Sequence, residues 1–188
     1  TCILEENKVI YLRAVATAAM REAENSAEIL ELVRRNTGIT VEIISGEEEA
    51  RLIFLAVKSE VTLNSQLALL IDIGGGSVEI SVSQRGELIM NQSYESGTLR
   101  LLQQVNSSDS VRAGGLRALV AQRLKPAYAQ VNKARGANEI SIAIGTGGNF
   151  EAIGDLRKRL LAKGRKTVVR EEEISRIRER VEELSIAE

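Results

Sequence analysis

The sequence predicts an α/β protein built as two lobes, and three observations carry that reading. Short β-leaning segments at residues 8–16 and 41–44 each lead into a helical pattern, the alternation expected of α/β units. A polar, weakly patterned segment at residues 58–66 then separates two such regions. Beyond it, residues 69–82 (LLIDIGGGSVEISV) open as an apolar run, end in Asp72, turn through three glycines and a serine, and resume as a strand. The division that follows is residues 1–58 for the first lobe, 59–66 for the linker and 67–188 for the second lobe.

The glycine stretch organises the chain. After Gly74, Gly75, Gly76 and Ser77, the apolar Val78, Ile80 and Val82 alternate with Glu79, Ser81 and Ser83. A period of two means a strand. In dinucleotide-binding units and P-loops the glycines lead into a helix instead, so this unit is a β-hairpin with a glycine-rich turn. Glycines let backbone N–H groups approach an anion closely. Asp72, at the strand end, is placed to meet a hard cation through water. Glu79 lies just past the turn, on the face opposite Val78 and Ile80. The functional reading is a phosphate held by the turn, with Mg²⁺ between the two carboxylates. The alternative is a plain tight hairpin whose glycines serve geometry alone. Carboxylates on both sides of the turn favour the first reading.

Composition narrows the chemistry. With 44% apolar and 27% charged residues, the 188-residue chain has an ordinary globular balance and the size for a core. A net charge of -1 supplies no basic field for nucleic acid, and 3% aromatics are too few for base stacking. Cys2 is the sole cysteine, which excludes an internal disulfide framework and a cysteine zinc site. The absence of histidine removes Ser-His triads, histidine bases and histidine metal sites, so acid–base work falls to carboxylates. No apolar run approaches the ~20 residues of a membrane helix, and no signal peptide is visible. Cytoplasm and no membrane partner are the expectations. The start at Thr1 rather than Met is expected of a sequence lacking its true N-terminus.

The remaining elements follow in order. Residues 8–16 are rich in Val9, Ile10, Tyr11, Leu12 and Val15 and predict a strand, followed by a turn into a short helix at residues 17–23. Arg21 then sits near the strand's C-terminal end, where open α/β sheets bind ligands, although a solvated arginine reads equally from sequence. Asn25 with Glu28 predicts a helix start, and Ile29, Leu30 and Val33 give its stripe. After the strand at residues 41–44, Ser45 and Glu48 form the pattern of a capping box opening a helix through Ala50, Ile53, Phe54 and Val57. Glu47, Glu48 and Glu49 crowd its first turn. Complementing the helix dipole explains them. The sharper reading makes one of them a general base, with its pKa lowered by the helix N-terminus.

In the second lobe, residues 84–87 form a second turn and residues 88–94 a third antiparallel strand. Helices follow at residues 99–105 and 116–135, broken at residues 107–115, and Pro126 predicts a kink or a new segment. Residues 139–144 alternate as a strand. Gly145, Thr146, Gly147, Gly148 and Asn149 then form a turn, with Asn149 as the expected N-cap of a helix from about Phe150. A glycine turn at a helix start is a ready anion site, or simply a compact βα turn. Ile174, Ile177, Val181 and Leu184 step by helical spacing in a last, amphipathic surface helix with a solvated charged face.

Four of these segments together resemble the Ppx/GppA phosphatase family of exopolyphosphatases and guanosine pentaphosphate phosphohydrolases. They are RAVATAAMREA from Arg13, ISGEEEARL from Ile44, DIGGGSVE from Asp72 (Val78 standing in place of the family's threonine) and GTGGN from Gly145. The resemblance implies the actin-like, sugar-kinase-like ATPase-domain fold, two related lobes around a cleft. It implies that Glu49 is the catalytic glutamate activating water, and that Asp72 and Glu79 take Mg²⁺. It further implies that Arg21, Gly74, Gly75, Gly76, Ser77, Gly145, Thr146, Gly147 and Gly148 hold phosphate. Family members open with another glycine-turn hairpin, so the resemblance implies an internal fragment truncated at both ends. The strand at residues 9–15 would then lack a neighbour, and an exposed apolar edge invites a homodimer.

The activity implied is hydrolysis of terminal phosphoanhydride bonds in polyphosphate or guanosine pentaphosphate, those being the expected partners. A phosphotransferase or ATPase of the same fold, or a non-catalytic nucleotide-binding lobe, are the alternatives.

Overall fold

The computed structural model describes residues 2–64, 66–106, 113–162 and 167–184. The first part of the chain forms α1 (Cys2–Glu6), β1 (Ala14–Ala16), α2 (Ala18–Glu22), α3 (Ser26–Thr37), β2 (Val41–Ile43) and α4 (Gly46–Glu60). The second forms β3 (Leu67–Ile73), β4 (Val78–Gln84), β5 (Glu87–Tyr94), α5 (Thr98–Asn106), α6 (Ala113–Arg135), β6 (Ile142–Thr146), α7 (Gly148–Leu161) and α8 (Glu171–Glu183).

In the first part, β1 pairs in parallel with β2, Val15 opposite Glu42. The strand expected over residues 8–16 is therefore much shorter, and it does have a neighbour. Val9, Ile10, Tyr11 and Leu12 are exposed, Ile10 completely. Their β propensity describes fit to a half-buried pleated surface, and no described strand offers them one. Asn25 precedes α3, but its side chain caps nothing. Ser45 does cap α4, its Oγ accepting from the Glu48 N–H at 3.2 Å. The reciprocal half of the box is missing, because the Glu48 carboxylate goes to Arg13 and Arg51 instead.

The second sheet has the order β5-β4-β3-β6. β3, β4 and β5 follow one another as antiparallel neighbours, and β6 returns beside β3 in parallel. Register fixes the faces, because residues directly opposite one another share a side of the sheet. Asp72 is opposite both Glu79 and Thr146, and Glu79 is opposite Ser93. These four share a face with Ala68 and Leu70, which α4 covers with Phe54 and Val57. The other face carries Val78 and Ile80, packed on Ala127 of α6 with Leu69, Ile71 and Ile73 beside them. On the α4 face, then, the apolar core gives way to carboxylates at the C-terminal end of β3.

Two local expectations are corrected and a third, at Pro126, is narrowed. Pro126 lies inside α6, and no new segment starts there. The expected break at residues 107–115 falls mostly outside the described residues. Asn149 is not the N-cap of α7. That position is Gly147, and the Asn149 side chain donates to the Ile73 carbonyl at 2.7 Å, pinning α7 to the end of β3. The charged face of α8 is not wholly solvated, because Glu173 is buried against Arg157 of α7. Among the described residues no helix is long and apolar enough to cross a membrane.

Candidate active site

The carboxylates are assembled by strand register and one close helix approach. Glu79 is buried, and the Ser93 hydroxyl donates to its Oε1 at 2.8 Å. Gly46 opens α4 directly on Ser93: a Cβ there would collide with the serine side chain and stand 3.8 Å from Glu79 Oε1. The absence of that Cβ lets the N-terminus of α4 come down on the sheet and carries Glu49 toward Glu79. Arg21, at the end of α2, donates to the Ile44 carbonyl at 2.7 Å and stands 3.8 Å from Glu49 Oε2. That oxygen is buried and accepts no hydrogen bond.

Burial pushes the Glu49 carboxyl above its ordinary value, and the charges of Glu79 and Asp72 push the same way, while Arg21 and the Thr17 hydroxyl pull it down. This reverses the expectation that the helix N-terminus would depress it. The glutamate held low is Glu48, at about 2, through the guanidinium groups of Arg51 and Arg13. Arg13 also grips Glu42 of β2, so Glu48 ties the start of α4 to the β1–β2 pair.

On the other flank of Asp72, Gly147 has a φ of 85°, and a Cβ there would stand 2.5 Å from Asp72 Oδ1. Only glycine provides both the backbone conformation and the space. Thr146 faces the same side as Asp72, with its Oγ1 buried and without a hydrogen-bond partner. Gly145 is opposite Ile71 and faces away, beneath the Phe150 ring.

The turn at residues 74–77 is held by its carbonyls. Gly74 accepts from the Thr98 N–H, Gly75 from the Leu99 N–H and Gly76 from the Gly97 N–H, at 3.0, 2.9 and 3.1 Å. In a planar trans peptide the N–H points opposite the C=O. With three carbonyls bound to the start of α5, the N–H groups of Gly75, Gly76 and Ser77 turn away from α5 together. A row of amides turned one way is a geometry that suits an anion. The Ser77 side chain is itself buried.

The structure thus brings Glu49, Arg21, Asp72 and Glu79 together at one end of the sheet, with both glycine turns at its margin. Sequence reasoning missed Ser93, Thr17 and Arg13. Ser93 was not readable by alternation: pairing continued unbroken from the Gln84–Glu87 turn would set Gln92 opposite Glu79, and a register shift between Val82 and Ser83 brings Ser93 there instead. Arg13 was not readable either, because its partners lie 29 and 35 residues away. Among the described residues no three histidine, cysteine or acidic side chains form a metal-enclosing cluster.

The architecture is that of an actin-like α/β protein. More particularly, the chain belongs to the Ppx/GppA phosphatase family, whose sequence profile matches residues 2–186. It is 41% identical over 90 residues to exopolyphosphatase 1 of Mycobacterium bovis, a match covering 47% of this chain and 26% of that protein. The Mycobacterium leprae exopolyphosphatase 1 is 39% identical over the same length. Among solved structures, an exopolyphosphatase from Cytophaga hutchinsonii superposes with a TM-score of 0.80 at 26% identity, covering 96% of this chain and 59% of that one. The Aquifex aeolicus Ppx/GppA enzyme gives 0.65 at 25% identity, covering 87% and 52%. The chain therefore spans little more than half the length of these solved relatives, and its match a quarter of the curated ones.

Proposed function

We propose that the protein of which this chain is part hydrolyses terminal phosphoanhydride bonds of inorganic polyphosphate or guanosine pentaphosphate. The observation that carries the reading is the convergence of Glu49 with Glu79, Asp72 and Arg21 beside a glycine turn whose amides face away from α5. Glu49 accepts a proton from a water aligned with the terminal phosphorus. Its raised pKa suits it to that task, because a base is most effective when its pKa lies nearer the working pH. The N–H groups of Gly75, Gly76 and Ser77 take the equatorial oxygens, and Arg21 offsets the charge on the transferred phosphoryl group.

Asp72 and Glu79 would hold Mg²⁺. The donor set supports this, since both offer hard oxygen ligands on one face of adjacent strands, and Mg²⁺ usually keeps several waters and needs only one or two carboxylates. When bound, the ion supplies charge neutralisation at the phosphate oxygens.

Phosphate release from polyphosphate and from guanosine pentaphosphate, run beside a phosphotransfer assay, tests the reading. Release dependent on Mg²⁺, with an Asp72→Ala variant needing more Mg²⁺ for half-maximal rate, is the expected result. Transfer to an acceptor without net hydrolysis overturns it.

A further inference from the structure

Arg100, in the first turn of α5, touches both the glycine turn and α2. Its Nε donates to the Gly76 carbonyl at 3.1 Å, and its Nη2 donates to Glu22 Oε1. Its Nη1 stands 3.9 Å from Glu95, an exposed carboxylate. Glu22 ends α2 and adjoins Arg21. The other end of α2 also meets the turn: a Cβ on Gly76 would stand 2.8 Å from the Ala18 Cβ. Ala18, Arg21 and Glu22 are spaced i, i+3 and i+4, so they share one face of α2. Ala18 and Glu22 meet the turn and its anchor, while Arg21 reaches Glu49. α2 has five residues and no side-chain cap, and so short a helix has little stability of its own. Where Arg21 stands relative to the turn depends on what holds α2 down.

We propose that Arg100 is a positioning residue for the substrate phosphate: by clamping Glu22 to the Gly76 carbonyl it sets the spacing between Arg21 and the amides of residues 74–77. This rests on the phosphatase reading above. The planar guanidinium suits the task because its donors point in fixed, diverging directions, which a lysine ammonium cannot reproduce.

The test uses Arg100→Lys, Arg100→Gln, Glu22→Gln and the Arg100→Gln/Glu22→Gln pair in the full-length protein, with polyphosphate as substrate. KM should rise about tenfold in the single variants, the size expected for losing a hydrogen bond to a charged group, with kcat unchanged. The pair should be no worse than Arg100→Gln alone, because both changes break one link. Hydrogen exchange supplies a readout independent of turnover: amides of residues 18–22 should exchange faster in every variant, while those of β3 and β4 keep their protection. An unchanged KM, or faster exchange throughout β3 and β4, overturns the proposal. If the wild-type protein releases no phosphate from polyphosphate or guanosine pentaphosphate, the phosphatase reading fails. Exchange at residues 18–22 and calorimetric affinity for tripolyphosphate then decide the clamp, and no change in either overturns it.

Discussion

Glu173 and Glu49 are both drawn away from solvent, and they are treated in opposite ways. Glu173, between α7 and α8, receives both the Nε and the Nη2 of Arg157, at 2.9 and 3.1 Å, and the N–H of Arg170 at 3.0 Å. Glu49 has a single guanidinium at 3.8 Å, a buried oxygen that accepts nothing, and two further carboxylates acting on it. A buried charge is tolerable when it is paired and hydrogen-bonded, and costly otherwise. The α7–α8 junction satisfies its carboxylate and gains a fixed contact. The site end leaves one oxygen of its carboxylate unsatisfied, which supports the proton-accepting role proposed for Glu49. What separates a structural glutamate from a reactive one is the completeness of its surroundings.

The comparison breaks first at Glu49. Glu49→Gln should lower kcat by about 10²–10⁴, the usual contribution of a general base, measured by phosphate release; turnover near wild type would make Glu49 a structural residue like Glu173. Next in size, Glu173→Ala should cost about 3 kcal/mol, because it takes the carboxylate from the partly buried Arg157, read from urea denaturation of the full-length protein. A loss below 1 kcal/mol, the range of surface pairs, would mean that the junction is no better compensated than the surface. Ser45→Ala removes the cap that seats α4 and should cost about 1 kcal/mol in the same measurement.

The smallest effects sharpen the comparison through pH. The Glu49 pKa is raised in the folded protein, so its ionisation opposes folding: stability attributable to this group is fully present below the ordinary carboxylate value of the unfolded chain and is lost as pH rises from there through the folded pKa. Glu49→Gln should therefore raise Tm at neutral pH, with the gain vanishing as pH falls below the ordinary carboxylate range. Arg21 pulls the same pKa down, so Arg21→Gln should move the acid limb of kcat/KM to higher pH. A limb that stays in place would remove Arg21 from the surroundings of Glu49.

Much of this was legible in the sequence, wherever a local pattern decides the outcome. The alternation from Val78 to Ser83 revealed the hairpin and put Glu79 on the face opposite Val78 and Ile80, because strand parity is a local property, whereas Asp72 joins that face through the β3–β4 register. The choice of Glu49 among three adjacent glutamates was not local. The three share composition and helical position, and only resemblance to a family separated them. The direction of the Glu49 pKa was misread for the same reason, since burial against β4 comes from elements far apart in the chain. Residues 9–12 look like a strand by propensity, but a strand needs a partner and propensity does not supply one. Asn149 is a good capping residue, yet the Ile73 carbonyl competes for its side chain.

The seam between α5 and the glycine turn has a consequence for how this protein tolerates change over generations. Three of its bonds run from main chain to main chain, so they do not depend on the side chains at the exposed positions of α5. Leu102, well exposed on α5, can be exchanged for almost any residue without altering them. The exceptions are proline at Thr98 or Leu99, which deletes the donor, and any side chain at Gly97, whose Cβ would collide with the Gly75 carbonyl oxygen. The shape of the cradle is thus inherited through the backbone, and a lineage can rewrite the outer surface of α5 freely. Arg100 sits inside that permissive stretch as a point where drift is not free.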